Sequence, residues 1–149
     1  MRAVVQRVTH AQVSVDAEVV GRIGSGACAL VGVGRDDSHE DAEALADKVI
    51  GLRIFEDDAG KMNHSLLEAG GELLAISQFT LYGDVRKGRR PSFGDAMEPD
   101  AARALFEQFC EACRVRGARV ETGRFRATMA LSLENDGPVT ILIDTKRAF

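Results

Sequence analysis

A Gly-Pro pair near the C-terminal end of the chain, Gly137-Pro138, constrains the fold more than any other short stretch. It lies between two runs of strand-forming residues, Ala127–Leu133 and Val139–Asp144. Proline has no N–H to donate and a fixed φ, so it is unfavourable inside a central strand. The local sequence therefore favours a hairpin turn that joins two strands. A cis bond is the less frequent alternative, since only about 5–6% of X–Pro bonds in folded proteins are cis.

The composition is that of one ordinary globular domain, which we expect to span residues 1–149. Hydrophobic residues make up 45% of the chain and charged residues 28%, which is the balance of a globular protein. The first residues lack the apolar core of a signal peptide, and no apolar run approaches the roughly 18 residues that a membrane span needs. We therefore expect a cytoplasmic protein that does not bind a membrane.

The sequence contains no pattern typical of a metal or cofactor site. Cys110 and Cys113 form a C-x-x-C, but they lie inside a helical pattern and have no second Cys or His pair nearby. The three histidines are far apart in the sequence, and no pair of acidic residues stands out as a general acid and base. We expect no metal and no cofactor.

The hydrophobic pattern predicts strands, a helix, a strand, a second helix and then strands. Strand-like alternation or short apolar runs occur at 2–8, 12–16, 19–23, 27–33, 53–55, 72–82, 119–122, 127–133 and 139–144. Helical spacing predicts one helix between Ser38 and Gly51 and another between Pro99 and Gly117, with a polar loop at 56–64. The predicted fold is α/β, with a mixed, mostly antiparallel sheet curled into a barrel-like core and two flanking helices.

A second stretch, Ser77-Gln78-Phe79-Thr80-Leu81, ends the predicted strand at 72–82. Strict alternation would place the polar side chains on opposite faces of that strand. A bend, or a strand end with free backbone N–H groups, would bring them together and could stabilise an oxyanion. The alternative is an ordinary strand with two polar residues that face solvent. No base is visible in the sequence beside Thr80.

The loop that follows holds the only dense positive patch of a chain whose net charge is −4. Its four basic residues are Arg86, Lys87, Arg89 and Arg90. They form either a solvated loop or a contact to phosphate, for which Lys and Arg are suited because they replace counterions. The acidic net charge, the single Tyr and the absence of Trp argue against a surface built mainly to stack on bases.

Taken together, these stretches resemble the D-aminoacyl-tRNA deacylase family. The two motifs of that family resemble Ser77-Gln78-Phe79-Thr80-Leu81 and Asn135-Asp136-Gly137-Pro138-Val139-Thr140. Its N-terminus resembles Met1-Arg2-Ala3-Val4-Val5-Gln6-Arg7-Val8, and a further segment resembles Lys87-Gly88-Arg89-Arg90-Pro91-Ser92-Phe93. One position departs from the family pattern, because Arg126 follows Phe125 where the family commonly has glycine.

The resemblance implies a cytoplasmic homodimer that acts on the aminoacylated 3′ end of tRNA. Such an enzyme hydrolyses the ester of D-aminoacyl-tRNA and also clears glycine mischarged on tRNA-Ala. It implies a cis bond between Gly137 and Pro138, a motif that reaches into the site of the neighbouring subunit, and a chiral test made by that motif. Arg7 would hold the motif in orientation.

The resemblance also assigns the site residues. The catalytic set is Thr80, Ser77, Gln78 and Phe79. The substrate-binding set is Gly137, Pro138, Asn135, Met129 and Arg7. The basic loop residues Arg86, Lys87, Arg89 and Arg90 would contact RNA.

The chemistry and the function class each leave alternatives open. Thr80 could be a nucleophile, or backbone N–H groups near Phe79 and Thr80 could form an oxyanion hole assisted by the terminal 2′-hydroxyl of the tRNA. A module that binds nucleic acid without catalysis, through the basic loop, is one alternative function. A Thr-dependent esterase or peptidase acting on small molecules is another.

Overall fold

One long strand organises the sheet in the computed structural model, which describes residues 1–149. Strand β1 (Arg2–Val15) pairs antiparallel with β8 (Ala130–Asp144) along nearly its whole length. Its other edge is shared by β2 (Glu18–Ile23), on the later half, and β3 (Gly26–Gly32), on the earlier half. The two strands predicted at the start of the chain are therefore parts of one strand.

The sheet continues from β3 through two parallel strands. Strand β6 (Glu72–Ser77) pairs with β3, and β7 (Val120–Thr122) pairs with β6. Parallel neighbours require a crossover connection, and each of these two crossovers contains a helix, α1 (His39–Gly51) or α2 (Pro99–Val115).

The mixed sheet curls toward closure, because β2 lies against β6 and β7 as well as beside β1. Three antiparallel pairings on β1 outnumber the two parallel ones, and the two helices pack against each other on one face. The architecture predicted from the sequence, a barrel-like and mostly antiparallel sheet with two flanking helices, is confirmed. No helix combines the length and the apolar character needed to cross a membrane.

Local interactions account for the two helix starts. The Ser38 backbone N–H donates to the Asp41 carboxylate over 3.0 Å, which closes a capping turn before α1. In α2, Pro99 takes the first helical position, where its missing N–H costs nothing. The Glu98 carboxylate accepts from the N–H groups of Asp100 and Ala101, at 3.0 and 3.3 Å.

Alternating residues of the strands contribute their side chains to two separate hydrophobic clusters. The larger cluster lies between the sheet and the helices, where Leu45 and Phe109 are fully buried against Leu73. The smaller one lies on the opposite face, inside the curl of the sheet, and includes Val13 and Leu74. Residues 73 and 74 enter different clusters because successive strand side chains point to opposite faces.

The predicted strand at 72–82 is wrong in its second half. Strand β6 ends at Ser77, and Phe79–Tyr82 form a short 3-10 helix instead. The Gln78 N–H still bonds to the sheet, donating to the Val31 carbonyl over 2.7 Å. Beyond it the backbone turns on itself, because the Gly83 N–H donates to the Thr80 carbonyl over 2.9 Å.

The hairpin expected at Gly137-Pro138 is also wrong. Both flanking runs belong to β8 and pair with β1: Val8 lies opposite Asn135 and Gln6 opposite Thr140. Residues 136–139 are therefore a bulge that faces Arg7 alone. Pro138 has no N–H to give to the ladder, and Gly137 takes φ +120°, which favours glycine, so pairing stops there. The bond between them is cis, the form that the resemblance implies.

Two smaller differences from the prediction concern a loop and the start of β8. The polar loop predicted at 56–64 contains a hairpin of β4 (Phe55–Glu56) and β5 (Met62–His64). The run predicted as a strand from residue 127 begins as one only at Ala130, because residues 123–129 form a turn in which the Ala127 N–H donates to the Arg124 carbonyl.

We expect Phe109→Ala to lower the free energy of unfolding by about 3–5 kcal/mol, the range for emptying a buried aromatic site. Phe109 is completely buried between the helices and the sheet. Urea denaturation measures the change. The control is Val115→Ala on the same helix, where the side chain is 77% exposed and the loss should stay within about 0.5 kcal/mol. Equal effects of the two substitutions would contradict the described core.

Candidate active site

A large cleft opens where the end of β6 meets the start of α2. Its volume is about 870 Å³. Three short segments form most of its wall: residues 77–80, 96–99 and 125–129. Five residues predicted to belong to the site line it together: Ser77, Gln78, Phe79, Thr80 and Met129.

The end of β6 brings the polar residues of the first motif to this cleft. The strand stops at Ser77, so the strict alternation that would separate Gln78 from Thr80 no longer applies. The Gln78 side-chain amide donates to the Thr80 hydroxyl over 3.1 Å. This is the only side-chain hydrogen bond of Thr80, so no basic group of the chain activates its hydroxyl.

The backbone N–H groups of Phe79 and Thr80 are free. The first residues of a helical turn have no acceptor within that turn, and neither group donates to any other atom of the chain. Phe79 and Thr80 are both exposed at the cleft. Two adjacent free donors can stabilise a negatively charged oxygen that develops on a bound carbonyl.

A largely buried network outside the cleft holds the end of the 3-10 helix. Tyr82, the last residue of that helix, donates its hydroxyl to Asp37 over 3.3 Å. The Arg2 guanidinium lies 4.4 Å from the centre of the Tyr82 ring and donates to the Leu81 carbonyl over 3.1 Å. Burial, and then the Asp37 carboxylate, raise the pKa of Tyr82, so it remains a donor.

Sequence reasoning missed this network, because its members are far apart in the chain and form no motif. The one available signal is the pair of glycines that ends the buried strand β3, Gly32 and Gly34. A side chain at either position would crowd the Tyr82 ring. Their small size therefore leaves the space that the tyrosine occupies.

Aromatic and sulfur-containing residues supply the larger side chains of the apolar wall of the cleft. Phe79 and Phe93 meet edge to face, with 5.0 Å between ring centres, and Phe79 is 59% exposed. Phe125 and Met129 form the facing wall and are half-buried. A flat, partly exposed aromatic ring beside free N–H donors suits a ligand that has both a ring and a polar group.

The remaining predicted substrate-binding residues gather at the bulge of β8 and do not line this cleft. They are Arg7, Asn135, Gly137 and Pro138. Asn135 donates from one side-chain nitrogen to the carbonyls of Arg7 and Val139, at 2.9 and 3.0 Å, and so bridges the open part of the ladder.

Arg7 lies opposite the bulge and stabilises it. Its side chain is buried, and it donates to the Ile54 carbonyl over 2.7 Å while its Nε lies 3.2 Å from the Asp136 carboxylate. Gly137 and Pro138 remain exposed on the outside of the bulge. The structure therefore fixes these two residues from below and leaves their backbone open to a partner.

The four basic loop residues also lie outside the cleft. All are exposed, and Arg86 is held by the Asp84 carboxylate through two hydrogen bonds of 2.9 and 2.6 Å. Lys87, Arg89 and Arg90 have no side-chain partner in the chain. The same loop reaches the rim of the cleft through Phe93.

The histidine, cysteine and acidic side chains form no metal-binding group, and the three cysteines are buried. No group of three or more His, Cys, Asp or Glu side chains could hold a metal ion. Burial raises the pKa of each of the three thiols to about 12: Cys28, Cys110 and Cys113. These cysteines are core residues and remain protonated.

Comparison with known proteins identifies the family. The model of the family described as D-Tyr-tRNA(Tyr) deacylase matches residues 4–144. A relative from Bacillus pumilus (strain SAFR-032), named D-aminoacyl-tRNA deacylase, is 60% identical over 146 residues, which cover 98% of this chain and 99% of the relative. One of the same name from Anaeromyxobacter dehalogenans (strain 2CP-C) is 59% identical over 149 residues and covers 100% of both chains.

A solved structure has the same fold over nearly the whole chain. It is named c-Myc DNA Unwinding Element Binding Protein, is 40% identical, and superposes with a TM-score of 0.92 over 97% of this chain and 99% of that chain. The family match and both relatives cover nearly the whole length of the sequence. The chain therefore belongs to the D-Tyr-tRNA(Tyr) deacylase family.

Proposed function

We propose that this chain hydrolyses the ester bond of D-aminoacyl-tRNA and releases a free D-amino acid and tRNA. Membership of a deacylase family makes the chain a hydrolase of ester bonds. The observation that carries the proposal is the pair of free N–H groups, Phe79 and Thr80, in a cleft of about 870 Å³ with an exposed aromatic wall. The cleft has the size of a site for one nucleoside and its ester.

In the proposed reaction the ester carbonyl binds against the N–H groups of Phe79 and Thr80. Water attacks the carbonyl carbon, and the two donors stabilise the oxyanion that forms. The 2′-hydroxyl of the terminal ribose assists the proton transfer, since the chain places no basic side chain beside Thr80. Ser77 and Gln78 line the site, and the Gln78 side-chain amide holds the Thr80 hydroxyl.

We assign chiral selection to the backbone of Gly137 and Pro138. The Gly137 carbonyl accepts a hydrogen bond from the α-ammonium of the substrate, so the amine and the ester are both fixed. An L-residue would then drive its Cβ into the Gly137-Pro138 backbone, and a clash against a braced wall discriminates more strongly than a soft apolar pocket. Glycine has no Cβ, so glycine mischarged on tRNA-Ala passes the same test.

This assignment requires a homodimer, because the bulge does not line the cleft of its own chain. In the proposed dimer the bulge of each subunit enters the cleft of the other. Strand β8 supports such a contact, since its outer edge is unpaired and its residue Leu142 is 60% exposed.

We assign Lys87, Arg89 and Arg90 to phosphates of the tRNA and give Arg86 a smaller part, because Asp84 already binds it. Aminoacyl-tRNA as the substrate places the enzyme in the cytoplasm.

A paired deacylation assay tests the function. D-tyrosyl-tRNA and glycyl-tRNA should be hydrolysed, whereas L-tyrosyl-tRNA should react at least about 100-fold more slowly. Equal rates for the D- and L-forms would overturn the chiral assignment. Binding without turnover would indicate a nucleic-acid-binding module, and hydrolysis of free D-amino-acid esters at the same rate would indicate a small-molecule esterase.

The source of the proton transfer can be tested with one variant and one altered substrate. Thr80→Ala should retain near-normal single-turnover deacylation, because Thr80 is not the nucleophile. A substrate ending in 2′-deoxyadenosine should react about 10²-fold more slowly or worse, the usual scale of acid–base assistance. Loss of turnover in Thr80→Ala together with an unchanged rate on the deoxy substrate would indicate that Thr80 is the nucleophile and that the 2′-hydroxyl takes no part.

Mixing two inactive variants tests the shared site. Gly137→Val disrupts the bulge, and Thr128→Trp fills the cleft from an exposed position on its wall. Each homodimer should be inactive, whereas co-expressed subunits should recover about one quarter of wild-type activity, since half of the dimers are mixed and each has one intact site. No recovery in a sample shown to contain mixed dimers would place the whole site within one subunit.

A further inference from the structure

Arg126 lies at the cleft in a backbone conformation that arginine seldom adopts. Its φ is +63°, in the left-handed region, where a side chain costs about 1–2 kcal/mol relative to glycine. The residue lies in the turn that brings Phe125 and Met129 to the cleft, and its own side chain lines the same wall. A residue kept in an unfavourable conformation at a site is a candidate for a role in that site.

The guanidinium of Arg126 has no partner in the chain. Several arginines elsewhere are held by carboxylates, such as Arg116 by Glu43 and Arg119 by Glu72, at 3.0 and 2.6 Å. Arg126 forms no side-chain hydrogen bond and no ion pair within 4.0 Å, and it is exposed. Its five N–H donors are therefore available to a ligand of the cleft.

Glu98 is the acidic residue of the cleft wall, and it does not neutralise this cation. Its carboxylate is occupied by the N–H groups of Asp100 and Ala101 at the start of α2. Those bonds chiefly lower the pKa of Glu98, and the charge of Arg126 lowers it further from beyond ion-pair distance. The Arg126 guanidinium is therefore free, and the nearby Glu98 carboxylate is already hydrogen-bonded at the start of α2.

The proposed substrate carries an anionic phosphodiester close to its ester. The terminal nucleoside of tRNA bears the aminoacyl ester on one side of its ribose and a phosphodiester on the other. With the ester at Phe79 and Thr80, this phosphate is one ribose away from the reacting carbonyl. Arginine binds phosphate with two parallel N–H donors. The basic loop lies outside the cleft, so it is suited to phosphates farther along the RNA.

We propose that Arg126 binds the phosphodiester on the 5′ side of the terminal adenosine and thereby positions the ester in the cleft. This inference rests on the proposed function, since it takes aminoacyl-tRNA as the ligand. It makes Arg126 a substrate-binding residue that distinguishes a polynucleotide end from a free nucleoside ester.

Two substrates separate this role from a structural one. Arg126→Ala should raise KM for D-aminoacyl-tRNA about tenfold, the scale of a lost charged hydrogen bond, and leave kcat at saturation unchanged. The same variant should leave kcat/KM unchanged on 3′-O-D-aminoacyl-adenosine, which lacks the phosphate. The slope of log KM against log salt concentration should become shallower by about 0.7, the value for one contact on a single strand.

Three further variants complete the test. Arg126→Gly suits the φ of this position, so it should fold at least as well as the wild type and show the same rise in KM. Arg126→Lys keeps the charge and should recover part of the loss. Arg124→Ala removes an exposed arginine of the same turn that does not line the cleft, and it should leave KM unchanged. Equal losses on both substrates, or an unaltered salt slope, would overturn the proposal.

Binding of an unesterified RNA ending in CCA separates failure of this proposal from failure of the function. Wild-type protein that binds this RNA through Arg126 without hydrolysing D-aminoacyl-tRNA would contradict the function and support the contact. Hydrolysis by the wild type together with RNA binding that Arg126→Ala leaves unchanged would contradict the contact and support the function.

Discussion

The antiparallel ladder between β1 and β8 is the contact on which the rest of the structure depends. Strand β1 gives one edge to β8 and the other to β2 and β3, and β3 in turn carries β6, whose end forms the cleft. The widest break in the ladder is where residues 136–139 face Arg7, and a smaller irregularity follows between Val8 and His10. There the Asn135 side-chain amide donates to the carbonyls of Arg7 and Val139, and the buried Arg7 side chain lies 3.2 Å from the Asp136 carboxylate.

The features predicted from the sequence are those that local chemistry determines. Helices α1 and α2 begin where Ser38 and Pro99 place them, because capping and proline geometry act over a few residues. The buried strand β3 is evident from its continuous apolar run. The barrel-like sheet follows from the order of the elements.

The features that the sequence did not predict depend on distant partners. The runs that flank Gly137-Pro138 look like a hairpin, but their partner is β1, more than a hundred residues earlier, and no local signal identifies it. The break after Ser77 replaces a strand because the sheet has no further pairing for Gln78 beyond Val31. Arg2, Asp37 and Tyr82 meet only in the folded chain.

The contacts that hold the bulge bear on how the proposed dimer would select between D- and L-substrates. Arg7 and Asn135 hold the bulge within its own chain, so in the proposed dimer the distance from Gly137 to the cleft of the second copy would depend on how the two copies dock. A separated subunit would then have a cleft that no bulge of a second copy enters. Dilution of such an enzyme would reduce its rate by mass action while the error frequency of the remaining dimers stayed constant. In the proposed dimer the Gly137 carbonyl also holds the α-ammonium that positions the ester, so activity and stereochemical selection would be lost together on dissociation.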